Sequence, residues 1–168
     1  MLTTGPATSF RSAPDGLLVS VALVDVSTTL TSHLTHGMHK LLDEGDKEKF
    51  DRDMATGERF SKKLRTMTAL RFRPYQQDSA FDVFKEAQAM AITDELIGRI
   101  TTPLLITSPE GEQFWPGQSE RMHQHVASSE LVHFTAAEGA DRHCEPMARS
   151  LLEQRMFDWL DRTLNPSA

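Results

Sequence analysis

Residues 103–145 read PLLITSPEGEQFWPGQSERMHQHVASSELVHFTAAEGADRHCE. The segment opens on Pro103 and the short apolar run Leu104-Leu105-Ile106-Thr107, a pattern that predicts a buried strand. A turn-rich stretch, SPEGEQFWPG, follows at 108–117, and then a helix from about Pro116 to Ala127. Glu130-Leu131-Val132-His133-Phe134-Thr135 predicts a second strand. The loop AAEGADRHCEP at 136–146 then leads into a long amphipathic helix carrying Met147, Leu151, Leu152, Met156, Phe157, Trp159 and Leu160. Strand, loop, helix, strand, loop, helix is α/β grammar, because parallel strands need a crossover and the helix supplies one.

Working outward, LLVSVALVDV at 17–26 is short and β-branched. It is bounded by Pro14-Asp15-Gly16 and Ser27-Thr28-Thr29, as a further buried strand would be. Between it and the segment above, the apolar residues fall at helical spacing. Leu30, Leu34, Leu41 and Leu42 mark a first helix ending near Gly45. Asp46 opens a second that stops near Gly57, and a third runs from Glu58 to about Arg71. Asp78 or Ser79 caps a fourth with Phe81, Phe84, Ala87 and Met90 on one face. The expected architecture is a partial α/β core of about three parallel strands at 17–27 and 99–168, with a helical cap inserted at 28–98. Residues 1–16, rich in Thr, Ser, Pro, Gly and Ala, read as a flexible lead-in. Three parallel strands leave exposed edges, which makes a homodimer a natural expectation.

The whole chain has 168 residues, 39% hydrophobic and 25% charged, within the range of one folded soluble domain. Its formal charge of −6 has the wrong sign for binding nucleic acid through an overall field. The densest basic stretch, Lys47 to Arg73, interleaves Glu48, Asp51, Asp53 and Glu58 as a solvated helical face does. The single cysteine, Cys144, excludes an internal disulfide and a thiolate zinc site and suits a reducing, cytoplasmic compartment. The longest apolar run is too short to span a membrane, and the N-terminus lacks the apolar stretch of a secretion signal.

In α/β sheets, reactive groups gather beyond the carboxyl ends of the strands. The loop after the first strand quoted offers Glu110 and Glu112, and the loop after the second offers His143 beside Asp141, Cys144 and Glu145. An acid on one loop and a histidine on the next can orient an imidazole as a general base. Phe114 and Trp115 either line a substrate pocket or pack beneath the neighbouring helix. Phe60, Met67, Phe72 and Tyr75 either roof a pocket or hold helices together. On a helix His33 and His39 would lie roughly 120° apart, so with His36 they do not converge on a metal ion. His123 and His125 point to opposite helix faces. Cys144 adjoins His143 in sequence and is badly placed to act as its nucleophile.

The stretches ITTPLLITSPEGEQFWPGQSERM, SELVHFTAAEGADRHCEPMA and FDWL resemble the C-terminal part of an α/β-hydrolase. Within that superfamily they look closest to the lidded dipeptidyl aminopeptidase or acylaminoacyl-peptidase-like group. Thr28 to Ile97 resembles that group's cap, and VALVDVS the end of the strand before it. The resemblance implies that His143 is the catalytic histidine and that the acid lies on the loop after the preceding strand. Many relatives place that acid four residues before a proline. This selects Glu112, four before Pro116, with Glu110 as the alternative. No metal or organic cofactor is implied.

One family feature is missing. The nucleophile elbow G-x-S-x-G does not occur in the chain, and Ser9 and Ser12, the serines that precede Val19, lack the paired glycines. The expectation is therefore a truncated serine hydrolase that contributes acid and histidine for cleaving a small-molecule ester, amide or related acyl bond, and that is inactive alone. The alternative is a non-catalytic binding or regulatory domain derived from a hydrolase.

Overall fold

The computed structural model describes residues 17–19 and 22–164. The expected lead-in, with Ser9 and Ser12, lies outside the described residues. In chain order the elements are β1 (Leu17–Val19), α1 (Ser27–Thr31), α2 (His36–Glu44), α3 (Lys47–Phe60), α4 (Lys62–Arg71), α5 (Ala80–Ala89), α6 (Asp94–Ile97), β2 (Leu104–Pro109), α7 (Gln118–His125), β3 (Ser129–Phe134) and α8 (Arg149–Leu164). They form two compact units. One takes the described residues up to Val24 and from Ile92 onward, and the other is Asp25–Ala91.

The first unit is α/β. Its three strands are parallel in the order β1-β2-β3, with Leu18 opposite Leu105 and Ile106 opposite Leu131. Every residue of β2 is buried, as a central parallel strand covered on both faces requires. Leu104 and Ile106 pack with Ala22, Val24, Ile97, Met122 and Val126. Phe134 forms a second cluster with Ala140 and Leu152. The crossover helix α7 packs on β2 and β3.

The structure corrects the sequence reading in three places here. The first strand is described over Leu17–Val19, and residues 22–26 are not strand. Their backbone donors go elsewhere, Ala22 N–H to Ser119 Oγ at 3.1 Å and Val24 N–H to Gln118 Oε1 at 2.7 Å. Side chains at the start of α7 thus satisfy a buried segment that has left the sheet ladder. The apolar face of α8 is narrower than its composition suggests, since Leu152 and Trp159 are buried while Phe157 is exposed, and Met147, also exposed, precedes the helix. Residues 92–98, including α6, belong to the sheet unit, with α6 packed on α7.

The second unit is helical. Four of its helices begin at a capping side chain that accepts a backbone N–H from three residues on: Thr35 from Met38, Asp46 from Lys49, Ser61 from Leu64 and Ser79 from Asp82. Thr35 breaks the expected first helix into α1 and α2, and Ser79 rather than Asp78 starts α5. The helix expected to stop near Gly57 runs on to Phe60. A Cβ at Gly57 would stand 3.0 Å from Leu64 Cδ2, so this glycine lets α4 approach α3. The core is Phe50, Phe81, Phe84, Val83, Ala87 and Leu42, whereas Met90 is 45% exposed. Asp51 ties α3 to the start of α5, accepting from Ser79 Oγ at 2.7 Å and Phe81 N–H at 2.8 Å.

Candidate active site

The parallel ladder continues past the carboxyl ends of β2 and β3, where Glu110 N–H donates to Phe134 O at 2.8 Å. The two loops that leave these strands therefore start side by side. Gly111 N–H donates to Asp141 O at 2.8 Å, and a Cβ at residue 111 would lie only 2.8 Å from that oxygen. Only glycine allows so close an approach. The second loop is pinned at its root. Thr135 and Glu138 form a reciprocal capping box, Arg155 pairs with Glu138, and its guanidinium sits 4.7 Å above the Phe134 ring.

Across this junction His143 Nδ1 meets Glu112 Oε2 at 2.7 Å. An ionised carboxylate can only accept, so His143 carries a proton on Nδ1 and donates it. The other carboxylate oxygen, Oε1, accepts from Phe114 N–H at 2.7 Å and Trp115 N–H at 3.1 Å. Glu112 is thus held by its own loop on one side and grips the imidazole with the other. Its side chain is 8% exposed and that of His143 24%. Burial pushes the Glu112 carboxyl up. The hydrogen bond from His143, the two backbone donors and the charge of His143 outweigh it, so the group titrates below the usual carboxylate range.

The structure separates the two candidate acids. Glu110 Oε2 accepts from Ala136 N–H at 2.9 Å, which fastens one loop to the other, while Glu112 alone of the two meets His143. Phe114 and Trp115 take a role between the expected alternatives. Their rings stand 4.9 Å and 5.3 Å from the His143 ring, centroid to centroid, and wall the imidazole. Trp115 and Glu112 also line a cleft of about 400 Å³ with Ser108, Ser119, Glu120 and His133. The Trp115 Nε1 donor is buried without a partner.

The other singled-out residues lie elsewhere. His33 is in a turn, and His36 and His39 are in α2. His123 shares a hydrogen bond with Ser129 Oγ at 2.8 Å, and His125 lies 3.6 Å from Asp94. Among the described residues no group of three or more His, Cys, Asp or Glu could hold a metal ion, and no helix is long and apolar enough to cross a membrane. Cys144 is exposed. In the helical unit Phe72 and Tyr75 pack on the aromatic core, Met67 and Phe72 line a separate pocket of about 200 Å³, and Phe60 is exposed. Sequence reasoning named Glu145 as a neighbour of His143 without giving it a role, and the side chain is fully buried next to this site. No local pattern marks it, since glutamate normally faces water.

No family model matches the chain, and no curated protein matches it. Among solved structures it is similar to the meta-cleavage product hydrolase CumD from Pseudomonas fluorescens IP01, in a mutant complexed with acetates, at 18% identity and a TM-score of 0.43. The match covers 92% of this chain and 57% of that one, so this chain spans little more than half the length of that hydrolase.

The grip of Glu112 on His143 has a pH signature. A carboxyl whose folded value lies below its unfolded value stabilises the fold above the unfolded value of about 4.5, and that stability is lost as pH falls through the folded value. Glu112→Gln is expected to flatten this acid limb and to cost about 2 kcal/mol at neutral pH, the worth of hydrogen bonds to a charged group. Urea unfolding of both proteins between pH 7 and the acid range checks this. Parallel acid limbs would count against it.

Proposed function

We propose that this chain carries the acid and the base of a serine α/β-hydrolase, Glu112 and His143, for hydrolysis of an ester, amide or related acyl bond in a small-molecule substrate. The observation that carries this reading is the 2.7 Å hydrogen bond between His143 Nδ1 and Glu112, made beyond the carboxyl ends of two adjacent parallel strands. A carboxylate on Nδ1 holds the imidazole in one tautomer and leaves Nε2 free of the proton, as a general base needs. Nε2 would take the proton of a serine hydroxyl as its oxygen attacks the acyl carbon, then return it to the leaving group. A water molecule would repeat the cycle and free the enzyme. Glu112 would stay ionised and stabilise the imidazolium. These steps call for neither metal nor organic cofactor.

The serine belongs to a G-x-S-x-G elbow that these 168 residues do not contain. In this reading that segment and the oxyanion donors come from additional polypeptide, and the chain alone has little acyl-transfer activity. The resemblance to the lidded peptidase-like group favours amides as well as esters, and the single cysteine favours a cytoplasmic setting. The test is to sequence the DNA upstream of Met1 and co-express any segment encoding such an elbow. Turnover of chromogenic acyl esters that disappears with His143→Ala supports the reading. A folded complex whose turnover ignores His143 overturns it. The missing elbow also favours a second reading, a non-catalytic binding or regulatory domain that covers its sheet edge as a homodimer. Light scattering on a cooperatively folding chain would support it.

A further inference from the structure

We propose that Glu145 is a positioning residue for the His143–Glu112 pair: a carboxylic acid buried in its uncharged form within the His143 loop, whose ionisation loosens the loop and parts the pair. The inference rests on reading that pair as acid and base. Glu145 has no exposed surface, and both carboxyl oxygens are buried, with the Thr107 hydroxyl beside them. Its backbone closes the loop, with Glu145 N–H donating to Arg142 O at 2.8 Å and Glu145 O accepting from Ala148 N–H at 3.0 Å. Cys144 and Glu145 both adopt left-handed backbone, with φ of 60° and 46°. Two successive non-glycine residues persist there only where the surroundings over-determine them. The buried Glu145 side chain is the anchor that does so.

Three groups face this carboxyl: the Thr107 hydroxyl from β2, Glu112 from the loop after β2, and His143 from its own loop. Burial disfavours its charged form most, with Glu112 adding to that effect and Thr107 and His143 opposing it. Two nearby carboxyls do not both hold charge cheaply. Glu112 has three donors and keeps the charge, whereas Glu145 keeps the proton. A group of this kind stabilises the fold fully below its ordinary value of 4.5, and that stability is lost as pH rises through its folded value.

The experiment compares the full chain with Glu145→Gln, which is neutral at every pH. Thermal unfolding and the low-field proton resonance of His143 Nδ1–H are followed as pH rises from 5. In the wild type both should decline together, with Tm falling on the order of 5 °C, while Glu145→Gln stays flat. A parallel course in the two proteins overturns the proposal, and so does loss of the resonance in a folded Glu145→Gln at pH 5. Carbon-13 NMR of the wild-type Glu145 carboxyl needs no variant. A protonated carboxyl at pH 6 supports the proposal, and an ionised one overturns it. If the low-field resonance is missing from the wild type at every pH, the acid–base reading itself fails, whatever the carbon signal shows.

Discussion

Gly111→Ala is expected to separate the two loops and abolish the low-field resonance of the His143–Glu112 pair. The added methyl would lie 2.8 Å from Asp141 O and 3.1 Å from Asp141 Oδ2. The carboxylate could swing aside, but the nearer atom is backbone. It is also the acceptor of the Gly111 N–H bond at 2.8 Å, so relief of the clash stretches the bond that aligns the loops. Glu112 is the next residue. A shift of about half an ångström there takes a 2.7 Å contact out of the range of a strong charge-assisted bond. Overpacking of this kind costs about 1–3 kcal/mol. Proton NMR reads the pair and urea unfolding reads the stability. A variant that keeps both the resonance and wild-type stability would show that the loops tolerate the wider spacing.

Phe50→Ala is expected to have the largest effect on stability, a loss of about 3–5 kcal/mol from the helical unit. Phe50 has no exposed surface. Its ring meets Phe81 at 5.8 Å and Phe84 at 5.3 Å, both edge to face, and Phe84 meets Phe72 in the same way at 5.8 Å. One truncation therefore opens a cavity at the centre of a connected aromatic cluster and removes two oriented ring contacts. The loss is a large share of the stability of an ordinary domain. Circular dichroism in urea measures it, and Phe50→Leu, which refills much of the volume, should recover most of it. A cost below about 1 kcal/mol for the alanine variant would mean that the rings close over the gap.

Much of this molecule is legible residue by residue. The strands β2 and β3 follow from short apolar runs bounded by turns, and the caps at Asp46 and Ser79 from small polar residues ahead of helical periodicity. The misreadings have two causes. Thr35 splits α1 from α2, Gly57 lies inside α3, and residues 22–26 are not strand. In two of these cases the deciding partner is distant in sequence or space: Leu64 lies across the α3–α4 turn from Gly57, and Ser119 and Gln118 claim the backbone donors of residues 22 and 24. Thr35 is local, but its capping bond wins over an apolar spacing that otherwise continues.

By itself, the sequence determined that this is an α/β chain with a helical insertion, and that a carboxylate and a histidine lie on successive loops after adjacent strands. Those are consequences of periodicity, turn chemistry and chain order, which local residues encode. Only the tertiary structure brought Glu112 to His143 and Glu110 to Ala136, turned Phe114 and Trp115 against the imidazole, and buried Glu145. Each of those outcomes depends on where a side chain ends once two loops meet. The bond between Glu112 and His143 spans 31 positions, and apolar spacing along a chain records which face is buried, but not which oxygen the folded loops bring to which nitrogen.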